Sequence, residues 1–150
     1  MIDRRTAYER IQLHEGYSKT LYKCTANKWT IGVGHNIEDN GLPDDIIYQI
    51  FKKDFRIAEL EVFNYLGEYK STIEDNRMYV LIDMCFNMGM PRLSKFNKMW
   101  KALKKDIPDY HEASKEMLDS KWARQVGDRS LRLAHCMKYG VFEQTEFERQ

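Results

Sequence analysis

The spacing of apolar residues predicts helices over most of the chain. After a turn at Pro43, apolar residues recur at three- and four-residue intervals from residue 46 toward residue 66, as in one long amphipathic helix. Shorter helices are predicted over residues 3–13, 96–105, 108–118 and 128–138. The last of these should be capped by Asp128 and ended by Gly140.

A further helix is predicted at the centre of the core. Ser71 and Glu74 have the spacing of a capping box, and the segment from Gly89 to Pro91 should end the helix. Between these signals lies an apolar stripe formed by Val80, Leu81, Met84, Cys85 and Met88.

Two segments, residues 17–22 and 29–33, are rich in aromatic and β-branched residues and predict a β-hairpin with a polar turn between them. Gly32 and Gly34 alternate with Ile31 and Val33 in the second segment. One face of that strand should therefore carry no side chain, so that another group can approach its backbone closely. Close approach is what an extended polymer substrate needs.

Composition fits one globular domain over residues 1–150, with 43% hydrophobic and 31% charged residues. No apolar run is long enough to span a membrane, and the charged N-terminus does not resemble a secretory signal. Cys24, Cys85 and Cys136 lack the paired spacing of a metal site, so we expect free thiols in a reducing cytoplasm and no metal.

The net charge of +1 gives no support for nucleic-acid binding, but the charge is uneven along the chain. Residues 38–75 carry a net charge of −6 and residues 91–139 a net charge of +6. The basic half could face an anionic polymer, or both halves could be solvated helix surfaces. Charge alone does not decide between these interpretations.

Three residues near the predicted hairpin carry groups suited to catalysis. Glu15 follows the first predicted helix, Cys24 lies in the hairpin turn, and Thr30 lies on the returning strand. A glutamate at a helix end beside a hairpin is usually structural, so the arrangement alone does not indicate an enzyme.

The order and spacing of these residues resemble the catalytic signature of phage-type lysozymes, glycoside hydrolase family 24. Glu15, eight residues, Cys24, five residues, Thr30 and then Ile-Gly-Val-Gly-His match the family's Glu, Asp or Cys, Thr and Gly-x-Gly-His. The resemblance continues, in the family's order, through Phe51-Lys52-Lys53-Asp54, Asp83-Met84-Cys85-Phe86-Asn87-Met88-Gly89, Ser120-Lys121-Trp122-Ala123-Arg124-Gln125, Arg129 and Arg132.

This resemblance implies a mostly helical α+β protein with a two-lobed lysozyme-like fold and a cleft between the lobes. The small lobe would cover roughly residues 14–60 with the β-hairpin, and the larger helical lobe roughly residues 67–150 together with the N-terminal helix. The substrate implied is the β-1,4 bond between N-acetylmuramic acid and N-acetylglucosamine in the glycan strands of peptidoglycan. Such an enzyme needs no cofactor and acts as a monomer.

The resemblance also implies the roles of the candidate catalytic residues. Glu15 matches the general acid, and Thr30 matches the residue that orients water. Cys24 stands where most members have Asp, and it either takes part in activating water or only fills space. Arg129 matches an arginine that reaches the glutamate, and because a nearby cation favours the ionised carboxylate, we assign it to positioning and not to protonation.

Four further positions follow from the same resemblance. His35 is expected to pair with Asp54, which would join the strand end to the long helix. Phe86 and Asn87 either line the cleft and bind substrate or fill the core.

The biological role implied is that of an endolysin that lyses the host bacterium. It would accumulate in the host cytoplasm without stable membrane association and reach the wall through a separate membrane pore. The alternative is a catalytically silent peptidoglycan-binding or virion structural protein with a lysozyme fold. A lytic transglycosylase is disfavoured by Thr30, since that reaction needs no activated water.

Overall fold

The computed structural model describes residues 1–142, which divide into two compact units: Met1–Ile50, and a second one that begins at Phe51. The mostly helical α+β class is confirmed, because residues 1–142 are 68% helical and contain one small antiparallel sheet. Among the described residues, no helix is long and apolar enough to cross a membrane. The predicted bounds of the two lobes stay a prediction.

The first unit holds the sheet. Its elements are α1 (Arg4–Glu15), β1 (Ser18–Lys23), β2 (Trp29–Gly32), β3 (His35–Asn36), α2 (Ile37–Asn40) and the start of α3 (Asp44–Leu66). The strands pair antiparallel in the order β1-β2-β3, with Thr30 on the central strand opposite Tyr22 and Asn36. The sequence predicted β1 and β2 but missed β3, whose two residues are too few to show alternation.

The predicted glycine-bearing strand face is wrong. Gly32 and Gly34 have φ values of +69° and +70°, which turn the chain between β2 and β3 instead of lying along one strand. Glycine adopts this left-handed region without the steric cost that a Cβ imposes. The two glycines therefore build the corner that follows Thr30.

The second unit is helical. After α3 and a 3-10 turn (Gly67–Thr72) it contains α4 (Asp75–Met88), α5 (Met90–Leu93), α6 (Asn97–Leu103), α7 (Tyr110–Leu118), α8 (Lys121–Val126) and α9 (Asp128–Tyr139). Helix α4 supplies much of the core, as its apolar stripe predicted. The same core contains fully buried side chains from α6, α7 and α9, namely Leu103, Met117 and Met137.

Two predicted helix caps are wrong. Ser71 lies inside the 3-10 turn, where its hydroxyl donates to the Glu68 carbonyl, and α4 begins only after Glu74, whose side chain makes no capping bond. Asp128 is the first residue of α9 and not its cap, which is Gly127. The predicted end of α9 is confirmed, because Gly140 is left-handed and donates its N–H to the Cys136 carbonyl.

We expect Gly140→Ala to destabilise the protein by more than the usual cost of a left-handed alanine, which is about 1–2 kcal/mol. Gly140 has a φ of +76°, and a Cβ there would lie 2.6 Å from Glu74 Oε1 and 2.9 Å from Arg77 Nη1. Arg77 has little room to move, because its guanidinium also donates to the carbonyls of Met137 and Lys138. The free energy of unfolding in urea measures the effect.

Gly67→Ala is the matched control, since Gly67 has a φ of +56° but nothing within 4 Å of the place that a Cβ would take. Gly67→Ala should lower the free energy of unfolding only by the cost of placing an alanine in the left-handed region. Equal losses of unfolding free energy in the two variants would mean that Glu74 and Arg77 move aside without cost when a Cβ is added to Gly140.

Candidate functional site

The carboxylate of Glu15 lies against the backbone of Gly34. Glu15 is the last residue of α1, which Gly16 ends with a φ of +81°. A Cβ on Gly34 would lie 2.8 Å from Glu15 Oε2 and 3.1 Å from its carboxyl carbon. A Cβ at residue 34 would therefore displace this carboxylate, and the expected close approach to the glycine backbone is made by Glu15 itself.

The hairpin turn brings Cys24 and Thr30 together through Lys28. The N–H of Cys24 donates to the Lys28 carbonyl at 3.0 Å, and the Thr30 hydroxyl donates to the same carbonyl at 2.9 Å. The turn is closed by Asn27, which has a φ of +61° and donates its N–H to the Cys24 carbonyl at 2.8 Å. Thr30 is only 2% exposed, whereas Cys24 is partly open to solvent.

Hydrogen bonds lower the pKa of the Cys24 thiol below its ordinary value. The largest contribution is the backbone N–H of Lys28, followed by the side chain of Thr30, while partial desolvation acts in the opposite direction. Both donors favour the thiolate. Because Thr30 has one hydroxyl proton, it can donate either to the Lys28 carbonyl or to the sulfur, and ionisation of the thiol favours the second choice.

Two acidic residues on α2 form ion pairs and a hydrogen bond with this turn. The sequence did not predict these contacts. Lys28 Nζ lies 3.2 Å from Asp39 Oδ1 and 3.3 Å from Glu38 Oε2. Glu38 Oε1 also accepts the backbone N–H of Trp29 at 3.4 Å. The only sequence signal was a basic turn followed by an acidic pair, and without β3 nothing indicated that the two would meet.

Histidine 35 is bonded within the first unit. Its Nε2 lies 2.6 Å from the Gly41 carbonyl, which can only accept, so this nitrogen carries the proton. Its expected partner, Asp54, lies on α3 in the second unit. The pairing of His35 with Asp54 stays a prediction.

Arg129 is held by a carboxylate that the sequence reasoning did not assign. Its Nε and Nη2 donate to Asp83 Oδ1 at 3.0 Å and 2.7 Å, and the Tyr79 hydroxyl donates to Asp83 Oδ2 at 2.9 Å. Burial, together with the negative charge of Asp83, raises the pKa of Tyr79 to about 12. Tyr79 therefore stays a neutral donor. The expected approach of Arg129 to Glu15 stays a prediction.

Phe86 and Asn87 both lie at the exposed C-terminal end of α4. Asn87 Oδ1 accepts the indole N–H of Trp122 at 2.8 Å, which fixes the amide, and the Phe86 ring centroid is 5.8 Å from that of Phe51. Their proposed role in substrate binding stays a prediction. Within residues 1–142 no group of three or more His, Cys, Asp or Glu is arranged to hold a metal ion.

Comparison with known proteins gives consistent matches over nearly the whole chain. The family described as phage lysozyme matches residues 12–135. The chain is 25% identical to a probable T4-type lysozyme 2 of Dictyostelium discoideum, over 91% of this chain and 95% of that protein. It is 27% identical to an endolysin of Acyrthosiphon pisum secondary endosymbiont phage 1, over 92% of each.

One similar protein is much longer. The chain is 25% identical to the pre-baseplate central spike protein Gp5 of Enterobacteria phage T4, over 90% of this chain but only 28% of that protein.

Proposed function

Because this chain belongs to the phage lysozyme family, we propose that it hydrolyses the β-1,4 bond between N-acetylmuramic acid and N-acetylglucosamine in peptidoglycan. The family makes it a glycoside hydrolase-type enzyme, a lysozyme with peptidoglycan as its substrate. The particular bond and membership of glycoside hydrolase family 24 are parts of the proposal.

The observation that carries the proposal is the position of the Glu15 carboxylate. It lies at the end of α1 against Gly34, in the turn that follows β2, the strand that carries Thr30. Glycoside hydrolysis needs a carboxylic acid to protonate the leaving oxygen as the glycosidic bond breaks. In the proposed reaction Glu15 supplies that proton.

Cys24 and Thr30 are proposed to handle the attacking water. The Cys24 thiolate would accept one proton of the water as its oxygen bonds to the anomeric carbon, and the Thr30 hydroxyl would orient the water. The support is their shared attachment to Lys28 and the donors that favour the thiolate. The thiolate replaces the carboxylate that is usual at this position in the family.

The remaining candidates are proposed to position groups or bind the glycan. Arg129, steadied by Asp83, would hold the Glu15 carboxylate, and Phe86 and Asn87 would contact the sugar chain. The pairing of His35 with Asp54 would fix the strand end.

The biological proposal is that of a monomeric phage endolysin. It would collect in the host cytoplasm, reach the wall through a separate membrane pore, and lyse the host. The similar phage protein named endolysin supports this role.

The second candidate is a virion component, active or catalytically silent, that binds peptidoglycan. Its support is the similarity to a named spike protein of a phage. Turbidity of purified peptidoglycan separates a silent binder from an enzyme, because only cleavage of the glycan strands clears the suspension and releases soluble fragments. Binding without clearing would overturn the proposed hydrolysis.

A further inference from the structure

The peptide group of Lys28 connects the two residues proposed to handle water. Its carbonyl accepts the Cys24 N–H at 3.0 Å and the Thr30 hydroxyl at 2.9 Å, and its N–H donates to the Cys24 sulfur. A small displacement of this one residue would change the hydrogen bond that lowers the pKa of the thiol most.

The side chain of Lys28 is held from the other side by α2. Asp39 Oδ1 and Glu38 Oε2 lie 3.2 Å and 3.3 Å from its Nζ, so the ammonium bridges both carboxylates. Asp39 is itself fixed by Asn36, whose side-chain amide donates to Oδ2 at 2.9 Å and whose side-chain oxygen accepts the Asp39 N–H at 3.0 Å. Because Asn36 pairs with Thr30 across the sheet, these contacts to Lys28 are anchored on the strand next to Thr30.

We infer that Glu38 and Asp39 are positioning residues, which hold Lys28 so that its N–H stays beside Cys24 Sγ and its carbonyl keeps the Thr30 hydroxyl and the Cys24 backbone in place. The catalytic meaning of this clamp rests on the proposed function, but its effect on the thiol does not. The clamp consists of Lys28, Glu38 and Asp39.

The clamp acts through geometry and not through the charge of the ammonium. The charged groups on the elements around the turn are Lys19 and Lys23 on β1, Lys28 in the turn, and Glu38 and Asp39 on α2. None of these charges contributes to the lowered pKa of Cys24, which comes from hydrogen-bond donors. Lys28 shares its ammonium with two carboxylates and is 41% exposed, so solvent and partners screen it.

Loosening the clamp should make the thiol harder to ionise. Donors that stabilise the thiolate lower its pKa, so their loss raises it and reduces the thiolate fraction at any pH below the midpoint. Lys28→Gln, and separately Glu38→Gln with Asp39→Asn, should move the midpoint for alkylation of Cys24 by iodoacetamide upward. Below the midpoint, alkylation of Cys24 in these variants should slow by the same factor by which the thiolate fraction falls.

Peptide mass mapping makes the measurement specific to Cys24. Cys85 and Cys136 are 3% and 0% exposed, and burial raises the pKa of both thiols, so they react slowly in the folded protein. Lys19→Gln is the matched control: it removes the same charge from β1, and within residues 1–142 Lys19 is in none of the ion pairs. Its midpoint should equal that of the wild type.

A charge reversal distinguishes the clamp from a direct electrostatic effect of the Lys28 charge on the Cys24 thiol. Lys28→Glu alone should raise the midpoint, and Lys28→Glu with Asp39→Lys and Glu38→Gln should return it toward the wild type, because an ion pair again spans the turn and α2. A direct electrostatic effect would leave the midpoint high, because a negative charge still replaces the ammonium next to the thiol. That result, or a Lys28→Gln midpoint equal to the Lys19→Gln midpoint, would overturn the clamp.

Hydrolysis separates failure of the clamp from failure of the proposed function. If the Cys24 thiolate activates water, peptidoglycan hydrolysis by Lys28→Gln at neutral pH should fall by the same factor as alkylation, and the charge reversal should restore both. An alkylation midpoint that moves while hydrolysis does not would support the clamp and contradict the role of Cys24.

Discussion

Glu15→Gln should abolish measurable hydrolysis of peptidoglycan while the protein stays folded. The amide has nearly the shape of the carboxyl group but cannot donate the proton that the leaving oxygen needs, and a general acid typically contributes about 10²–10⁴-fold in rate. Glu15 is exposed at the end of α1, so the substitution leaves the core intact. Initial clearing rates on purified peptidoglycan measure the loss.

Glu9→Gln is the matched control for this substitution. Glu9 is an exposed glutamate on the same helix, and its only ion pair among the described residues, with Arg5, is solvent-exposed and worth little. It should keep nearly full activity. If Glu15→Gln cleared peptidoglycan as fast as Glu9→Gln, Glu15 would not be the acid.

Substitutions of Cys24 should have the second largest effect, with Asp active, Ser weak and Ala inactive. The role proposed for the thiolate needs a basic group at this place, which an aspartate supplies, a hydroxyl supplies poorly and a methyl group does not supply. Loss of a general base is again worth about 10²–10⁴-fold. Clearing rates of the three variants are compared with that of the wild type across pH.

The pH dependence gives this series a second readout. The pKa of Cys24 is lowered but the thiol still ionises with rising pH, so the contribution of Cys24 to wild-type activity should rise with the thiolate fraction. An aspartate is already ionised over that range, so Cys24→Asp should not show this rise. Iodoacetamide should inactivate the wild type and leave Cys24→Asp active.

The opposite interpretation, that Cys24 only fills space in the turn, predicts a different pattern. Cys24→Ala would then hydrolyse peptidoglycan at the wild-type rate, with Glu15 and Thr30 sufficient for the reaction. That outcome would remove the thiol from the proposed mechanism.

Local sequence signals predicted the parts of the site that depend on neighbours in the chain. Cys24 and Thr30 meet because a short hairpin joins them, and a hairpin is recognisable from two β-rich segments around a polar turn. Gly34 was recognised as a place of close approach, although its neighbour proved to be Glu15 and its conformation a turn. The resemblance then gave these residues their expected roles.

Interactions between distant positions were not predictable in this way. Arg129 and Asp83 are 46 residues apart, and nothing in the pattern of either helix indicates their pairing. The clamp on Lys28 depends on β3 and α2, which have two and four residues and are too short for periodicity to show.

One missed helix did carry a usable signal. Ser120 caps α8 by accepting the N–H of Ala123 at 3.1 Å, and a serine before Lys121-Trp122-Ala123 fits the start of a helix. Ser71 showed a similar pattern and did not cap α4, because the 3-10 turn that follows α3 continues through it. A capping pattern therefore marks a helix start only where the preceding segment has ended.

If this chain adds water across the bond between N-acetylmuramic acid and N-acetylglucosamine, mass spectrometry of the products formed in H₂¹⁸O will detect the added oxygen. Soluble fragments released from purified peptidoglycan should end in reducing N-acetylmuramic acid carrying one ¹⁸O at its anomeric carbon, and Glu15→Gln should release none. Anhydro-muramic ends without ¹⁸O would show a transglycosylase, and reducing N-acetylglucosamine ends would show cleavage of the other glycosidic bond. Either result would contradict the proposed reaction.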